Sequence, residues 1–238
     1  MNDTEMLPVG AATYSSAIAD AQRYMAWIVD SFEPYLRGPI VEVGIGHGQY
    51  CRFLSRYGNY VGIDHDPESV AKARREFPGF RFEVCDILDP AAVAALRPVG
   101  SIVSINVFEH IDNDQLAIAN LVSVLAPGSC LCIIVPALMS LYNDLDRMAG
   151  HVRRYTLSDF RDVIAPLPVS VRRLSYFNPV GGVGWWVNKF RRSTSLDDEV
   201  VNAQIRAFDR YVVPVSRALD PLFRPFFGQS AICILERK

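Results

Sequence analysis

Three glycines stand on alternate positions in VEVGIGHGQY (residues 41–50), directly after an apolar run, and Glu42 lies within the same stretch. Gly44, Gly46 and Gly48 carry no Cβ, so the main chain there can turn sharply and let a ligand come close. A dinucleotide site would read GxGxxG, with pyrophosphate on the helix N-terminus and a third glycine for close helix packing. Here the sixth position is Gln49. Glu42 beside the loop repels a pyrophosphate but attracts an ammonium group, which favours a ligand with a cationic amino acid end. Asp64, in GIDHD, is placed to accept from two vicinal ribose hydroxyls, a feature that nicotinamide and adenosyl sites share. Asp86, in VCDIL, suits an adenine amino group, with the backbone of Ile87 at the ring edge; equally, Asp-Ile-Leu-Asp can open a helix. Together the acids outline an elongated cationic adenosyl ligand. His47 and His65 lie near it without a chemical task.

A second group sits in LYNDLDRMAGHVRRYT (141–156). His151, which titrates near neutrality when unperturbed, is the best general-base candidate, and Asp146 is spaced to orient it. The competing reading makes Asp146, His151, Arg154 and Tyr155 a structural hydrogen-bond network that pins the loop against the sheet. Arg147, Arg153 and Arg154 would pair bidentately with an anionic acceptor, or form salt bridges to Asp144 and Asp146. Trp185 and Trp186, with Tyr176 and Phe177, would roof an aromatic acceptor or serve as core; the glycines of VGGVG before them favour a moving lid. Glu109 and His110 read first as packing or helix-start groups. Asp144 and Asp146 lack the further ligands of a divalent-metal site, so no metal is expected.

These residues need a scaffold. Apolar positions at three-four spacing from Ala17 to Leu36 predict an N-terminal helix. Strands follow near 39–44, 59–64, 80–85, 101–106 and 130–136, with helices at about 48–57, 67–76, 89–96 and 112–125. Strands alternating with helices mean right-handed crossovers and a mostly parallel sheet. After Pro136 come a loop-like stretch, a short helix at LSDFRDVI, a sixth strand at VSVRRLSYF, a helical stretch from about Asp197 to Leu219, and a seventh strand at SAICILER. No repeat or linker forces a boundary in 238 residues. The expectation is a single domain: an N-terminal helix or lid (1–38), a cofactor half (39–136), and an acceptor half (137–238) with an insertion before the last strand.

In order and spacing, VEVGIGHGQY, GIDHD, CDIL, INVFEHI and LAPGSCLCIIVPA resemble the motif set of class I S-adenosylmethionine-dependent methyltransferases. That resemblance implies a Rossmann-like α/β sheet of seven strands, six parallel and the last antiparallel, with helices on both faces. It implies S-adenosyl-L-methionine as cofactor: Gly44, Gly46 and Gly48 at the methionine end, Glu42 on its amino group, Asp64 with His65 at the ribose, and Asp86 and Ile87 at the adenine. Asn106 would stand beside the methionyl portion and the sulfonium, although a strand-end turn role for it stays open, and His110 is counted among the cofactor-binding residues. The later segment resembles a bacterial subgroup with a D-x-x-x-G-H-x-R-R-Y signature and a Gly-Trp-Trp motif. The implied activity is O-methylation of a hydroxyl or carboxylate on a small molecule, anionic or aromatic, in specialised metabolism.

The alternatives are a nicotinamide-dependent oxidoreductase, which Gln49 and the lack of a Tyr-x-x-x-Lys pair disfavour, and a non-catalytic binding protein on the same fold. A net charge of −2 gives no general case for nucleic acid or anionic lipid. Cys51, Cys85, Cys130, Cys132 and Cys233 show neither zinc spacing nor a disulfide framework and read as buried hydrophobes in a reducing compartment. With no signal peptide or bilayer-length apolar run in view, a cytoplasmic protein without an integral membrane segment is expected.

Overall fold

A computed structural model describes residues 21–188, 203 and 205–238. The short apolar runs become β1 (Ile40–Val43), β2 (Tyr60–Asp64), β3 (Arg81–Val84), β4 (Val99–Ile105), β5 (Leu125–Pro136), β6 (Val169–Phe177) and β7 (Ser230–Arg237). They form a seven-stranded sheet of order β3-β2-β1-β4-β5-β7-β6. β7 runs antiparallel between β5 and β6 and the other strands are parallel, which is the expected class I topology.

Side chains alternate between the two faces of the sheet. Leu131 and Ile133 of β5 and Cys233 of β7 join one apolar core; Cys130, Cys132 and Ile234 join the other. All five cysteines are buried and none is in a disulfide. The first core lies under α4 (Pro90–Ala94), α5 (Asp114–Val124) and α7 (Leu157–Ile164). The second lies under α1 (Gln22–Phe32), α2 (Cys51–Leu54) and α3 (Pro67–Glu76). Each fully buried aliphatic or aromatic side chain there contributes roughly 1.5–3 kcal/mol of burial free energy.

Local chemistry sets the element ends. Asp66 accepts from the N–H groups of Glu68 and Ser69 and Pro67 opens α3, a capped start. The first turn of α1 is capped from afar: Asp209 accepts from the N–H groups of Arg23 and Tyr24 at 3.3 and 2.8 Å. The part of the expected first helix before residue 21 lies outside the described residues.

Several expectations change. The helix expected over 48–57 begins only at Cys51, because Gly48 holds a φ of +81°, and it gives way to a 3₁₀ turn at Ser55–Tyr57. The loop-like stretch after Pro136 contains α6 (Asp144–Met148), started by a capping box in which Asn143 and Asp146 satisfy each other's backbone N–H groups. The expected lid is a helix, α8 (Pro179–Asn188): Pro179 suits a first helical position, and the Asn178 side chain accepts from the N–H of Gly181. Of the late helical stretch, a π-helical turn at Phe208–Val212 leads into α9 (Val213–Phe223), which packs on α8.

Candidate active site

The chain order reverses between β1 and β4, and ligands of open α/β sheets bind outside the carboxyl ends of the strands at such a switch point. Beyond β1, Gly44, Gly46 and Gly48 hold φ values of +70°, +51° and +81°. A Cβ on Gly44 would lie 2.3 Å from Val107 Cγ2, so glycine is required there for space as well as for backbone conformation. The Gly46 N–H donates to Asp64 Oδ2 (3.2 Å) and the Asp66 N–H to Asp64 Oδ1 (3.0 Å). These bonds fix the carboxylate at the end of β2 and leave each oxygen capacity to accept again. Glu42 is buried in β1 and accepts from the Tyr60 hydroxyl at 2.5 Å. Burial pushes its carboxyl up to about 8, against the opposing effect of that hydroxyl.

Asp86, exposed beyond β3, accepts from the Leu88 N–H, while Ile87 is buried with its carbonyl held by Asn120. Asn106 ends β4 in the left-handed region (φ +54°), exposed, with its N–H bonded to the Ile134 carbonyl. His65 is exposed beside Asp64, and Lys72 contacts His47.

The second group assembles after β4 and β5. The Val152 N–H donates to the Glu109 carbonyl, joining the two loops. His151 Nδ1 lies 2.8 Å from Asp146 Oδ1, so the ring donates there and keeps its Nε2 lone pair free to accept. Asp146 is fully buried and also accepts from Arg154 Nε (2.9 Å), Arg154 Nη2 (2.8 Å), Trp185 Nε1 (3.3 Å) and the Asn143 N–H (3.0 Å). Burial raises its carboxyl, but the hydrogen bonds from His151 and Arg154 outweigh this and hold it below the usual range. His151 Nε2 faces Glu109 at 3.8 Å. Glu109 is fully buried, neither of its oxygens receives a hydrogen bond, and burial pushes its carboxyl up to about 7. His110 meets His151 edge to face, and burial, with His151 adding to it, pushes its imidazole down to about 4.

Asp146, His151 and Arg154 therefore come together, with Trp185 stacked on the Arg154 guanidinium at 5.3 Å. Tyr155 is carried beneath them: its hydroxyl lies within hydrogen-bonding distance of Asp114 and the Phe108 carbonyl, and its ring stacks on Phe160. Arg147 pairs with Asp144, Arg153 with Asp114 and Arg154 with Asp146, the salt-bridge alternative for these arginines. Phe177 is core, 4.1 Å from Trp27, not a roof. Glu109 is the group whose importance sequence reasoning missed; its only signal was its place four residues beyond β4, next to a histidine. A separate concavity, lined by Tyr35, Arg37, Arg172 and Glu236, lies at the amino ends of the strands.

Residues 40–128 match the family model of a methyltransferase domain. Trans-aconitate 2-methyltransferase of Methylobacterium nodulans is 25% identical over 206 residues, covering 76% of this chain and 79% of that protein. A SAM-dependent methyltransferase of Archaeoglobus fulgidus superposes with a TM-score of 0.59 at 15% identity, over 91% of this chain and 94% of its own. A geranyl diphosphate methyltransferase solved with SAM superposes at 0.59 and 12% identity, over 98% of both chains. The nicotinamide alternative falls with these findings. No helix among the described residues is long and apolar enough to cross a membrane. The sheet has the class I methyltransferase fold, and with the methyltransferase domain matched over residues 40–128 the chain is an S-adenosyl-L-methionine-dependent methyltransferase.

Proposed function

We propose that the protein methylates an oxygen of a small organic acceptor at the mouth formed by the loops after β4 and β5. The observation that carries this reading is the Asp146–His151 pair at 2.8 Å, with the imidazole Nε2 left to accept a proton. The Gly44–Gly48 turn and Glu42 would receive the methionyl end of the cofactor, Asp64 with His65 beside it the ribose, and Asp86 and Ile87 the adenine. Asn106 and His110 would border the sulfonium. The spare acceptor capacity of Asp64 and the left-handed glycine turn fit that ligand. S-adenosyl-L-methionine supplies a methyl group made electrophilic by a sulfonium that leaves as a neutral thioether.

The chain's own residues do the rest. His151 takes the proton of an acceptor hydroxyl at Nε2, Asp146 stabilises the imidazolium so formed, and Arg154 and Trp185 hold Asp146 in place. We read the D-x-x-x-G-H-x-R-R-Y segment as this orienting unit, in an enzyme of bacterial specialised metabolism. A hydroxyl acceptor is favoured because a carboxylate needs no base and Arg147, Arg153 and Arg154 already have carboxylate partners. A carboxylate acceptor draws support from the relative named for trans-aconitate.

Calorimetric titration with S-adenosylmethionine, S-adenosylhomocysteine and NADH tests the cofactor assignment. Adenosyl compounds are expected to bind and NADH is not. Asp64→Ala should weaken binding about 100-fold, as the loss of charge-assisted hydrogen bonds worth about 1.5–3 kcal/mol each implies. Binding of NADH alone, or an indifferent mutant, overturns it. Labelled methyl transfer to panels of alcohols, phenols and carboxylic acids then separates the acceptors. His151→Gln should depress turnover about 10²–10⁴-fold for a hydroxyl and leave a carboxylate largely untouched.

A further inference from the structure

Glu109, His110 and His151 each bring one potential ligand atom to within 4.8 Å of the others. The Nδ1 of His151 is committed to Asp146, and the Nδ1 of His110 lies 3.2 Å from the Gly150 carbonyl, an oxygen that can only accept. Both rings are therefore fixed as the tautomer with a free Nε2. An imidazole whose far nitrogen donates to a carboxylate or a backbone carbonyl is how metal-ligating histidines are commonly oriented. Glu109 supplies an independent sign: a fully buried carboxyl with both oxygens lacking a hydrogen bond, which is costly unless something positive satisfies it.

We propose that Glu109, His110 and His151 form a binding site for a divalent transition-metal ion of the zinc class. Two imidazoles and one carboxylate select zinc, cobalt or ferrous iron over magnesium or calcium, and three protein ligands leave a position open. Ligand atoms around a tetrahedral zinc stand roughly 3.3 Å apart, so pairs of ligand atoms approach one another by at most about 1.5 Å when the ion is bound. The 3.8 Å approach of His151 to Glu109 is already near that spacing. This site is different from the pair Asp144 and Asp146, which the sequence offered and set aside.

The site's role, though not its existence, rests on the oxygen-acceptor reading. An acceptor hydroxyl at the open position would be acidified by the cation and release its proton to water, so coordination would replace proton transfer to His151.

The test titrates chelator-treated protein with Co²⁺, followed by visible absorption and by calorimetry, and then displaces it with Zn²⁺. One Co²⁺ per chain is expected, with the visible bands of a low-coordinate site that vanish on adding Zn²⁺. Glu109→Gln and His110→Gln should each weaken Co²⁺ binding at least about 10-fold. Circular dichroism and S-adenosylmethionine binding by Glu109→Gln report whether the fold and cofactor site persist, so failure of the metal site is distinguishable from failure of the methyltransferase reading. Absence of saturable binding by Co²⁺ or Zn²⁺ in the wild type overturns the proposal, as does binding that both variants leave unchanged.

Discussion

Glu42 stands inside β1 and accepts from the Tyr60 hydroxyl, and its chemistry shows how burial changes what a residue type means. From the sequence, its charge attracts an ammonium. In the fold, burial holds its carboxyl at about 8 against an ordinary 4.5, so near neutrality it is protonated. The native state thus keeps a proton that the unfolded chain releases between those values. The stability this group contributes is present below pH 4.5 and is lost as pH rises through about 8. Glu42→Gln retains an acceptor for Tyr60 and does not titrate. Unfolding free energies from denaturant titrations across pH 5–9 should therefore fall less steeply in the variant, by on the order of 4 kcal/mol, and parallel curves would refute the account. A ligand ammonium near Glu42 favours the ionised form, so binding S-adenosylmethionine at pH 7 should release a proton. Calorimetric enthalpies that vary with buffer ionisation in the wild type and not in Glu42→Gln would show it. The strand-end acids were legible because a glycine turn and its strands lie close in sequence. Glu109 was not, since its significance depends on His151 and on hydrogen bonds it fails to receive, and neither is local.

Element boundaries show the same division. The strands and the helices between them were legible from alternation and from caps such as Asp66. Helix α6 escaped because one turn of helix shows no periodicity, and only its Asn143–Asp146 box marks it. The misread of α8 came from taking glycine as a sign of motion. Gly182 instead lets a ring approach: a Cβ there would sit 2.8 Å from Phe227, while one on Gly184 would meet nothing within 4 Å. Gly182→Ala should destabilise by about 1–3 kcal/mol through overpacking. Gly184→Ala should stabilise by about 0.5–1 kcal/mol as glycine leaves a helix interior. Thermal unfolding of the pair checks both signs. Turnover in Gly184→Ala should match the wild type, whereas a hinge at this glycine would slow it. Trp185 of α8 donates to Asp146, so this helix helps to hold the carboxylate that orients His151.

At the scale of the molecule, the residue order and the spatial order part company at β7. The class I arrangement was legible because six strands follow in parallel rhythm, while the register of the last strand depends on long-range pairing that no local pattern encodes. β7 pairs with β5 from Ser230 opposite Pro136 to Glu236 opposite Cys130, and with β6 on its other edge. Five consecutive residues of it, Ala231 to Leu235, are fully buried. A chain stopped after Gln229 is therefore expected to lose cooperative unfolding and near-ultraviolet dichroism, and a native-like transition in that variant would contradict this. On the ribosome the same geometry has a temporal meaning. While residues 230–237 remain in the exit tunnel, the facing edges of β5 and β6 have nothing between them and show bare backbone and apolar side chains to solvent. Until those residues emerge, the nascent chain is a client for chaperones and a hazard to its neighbours on the same message.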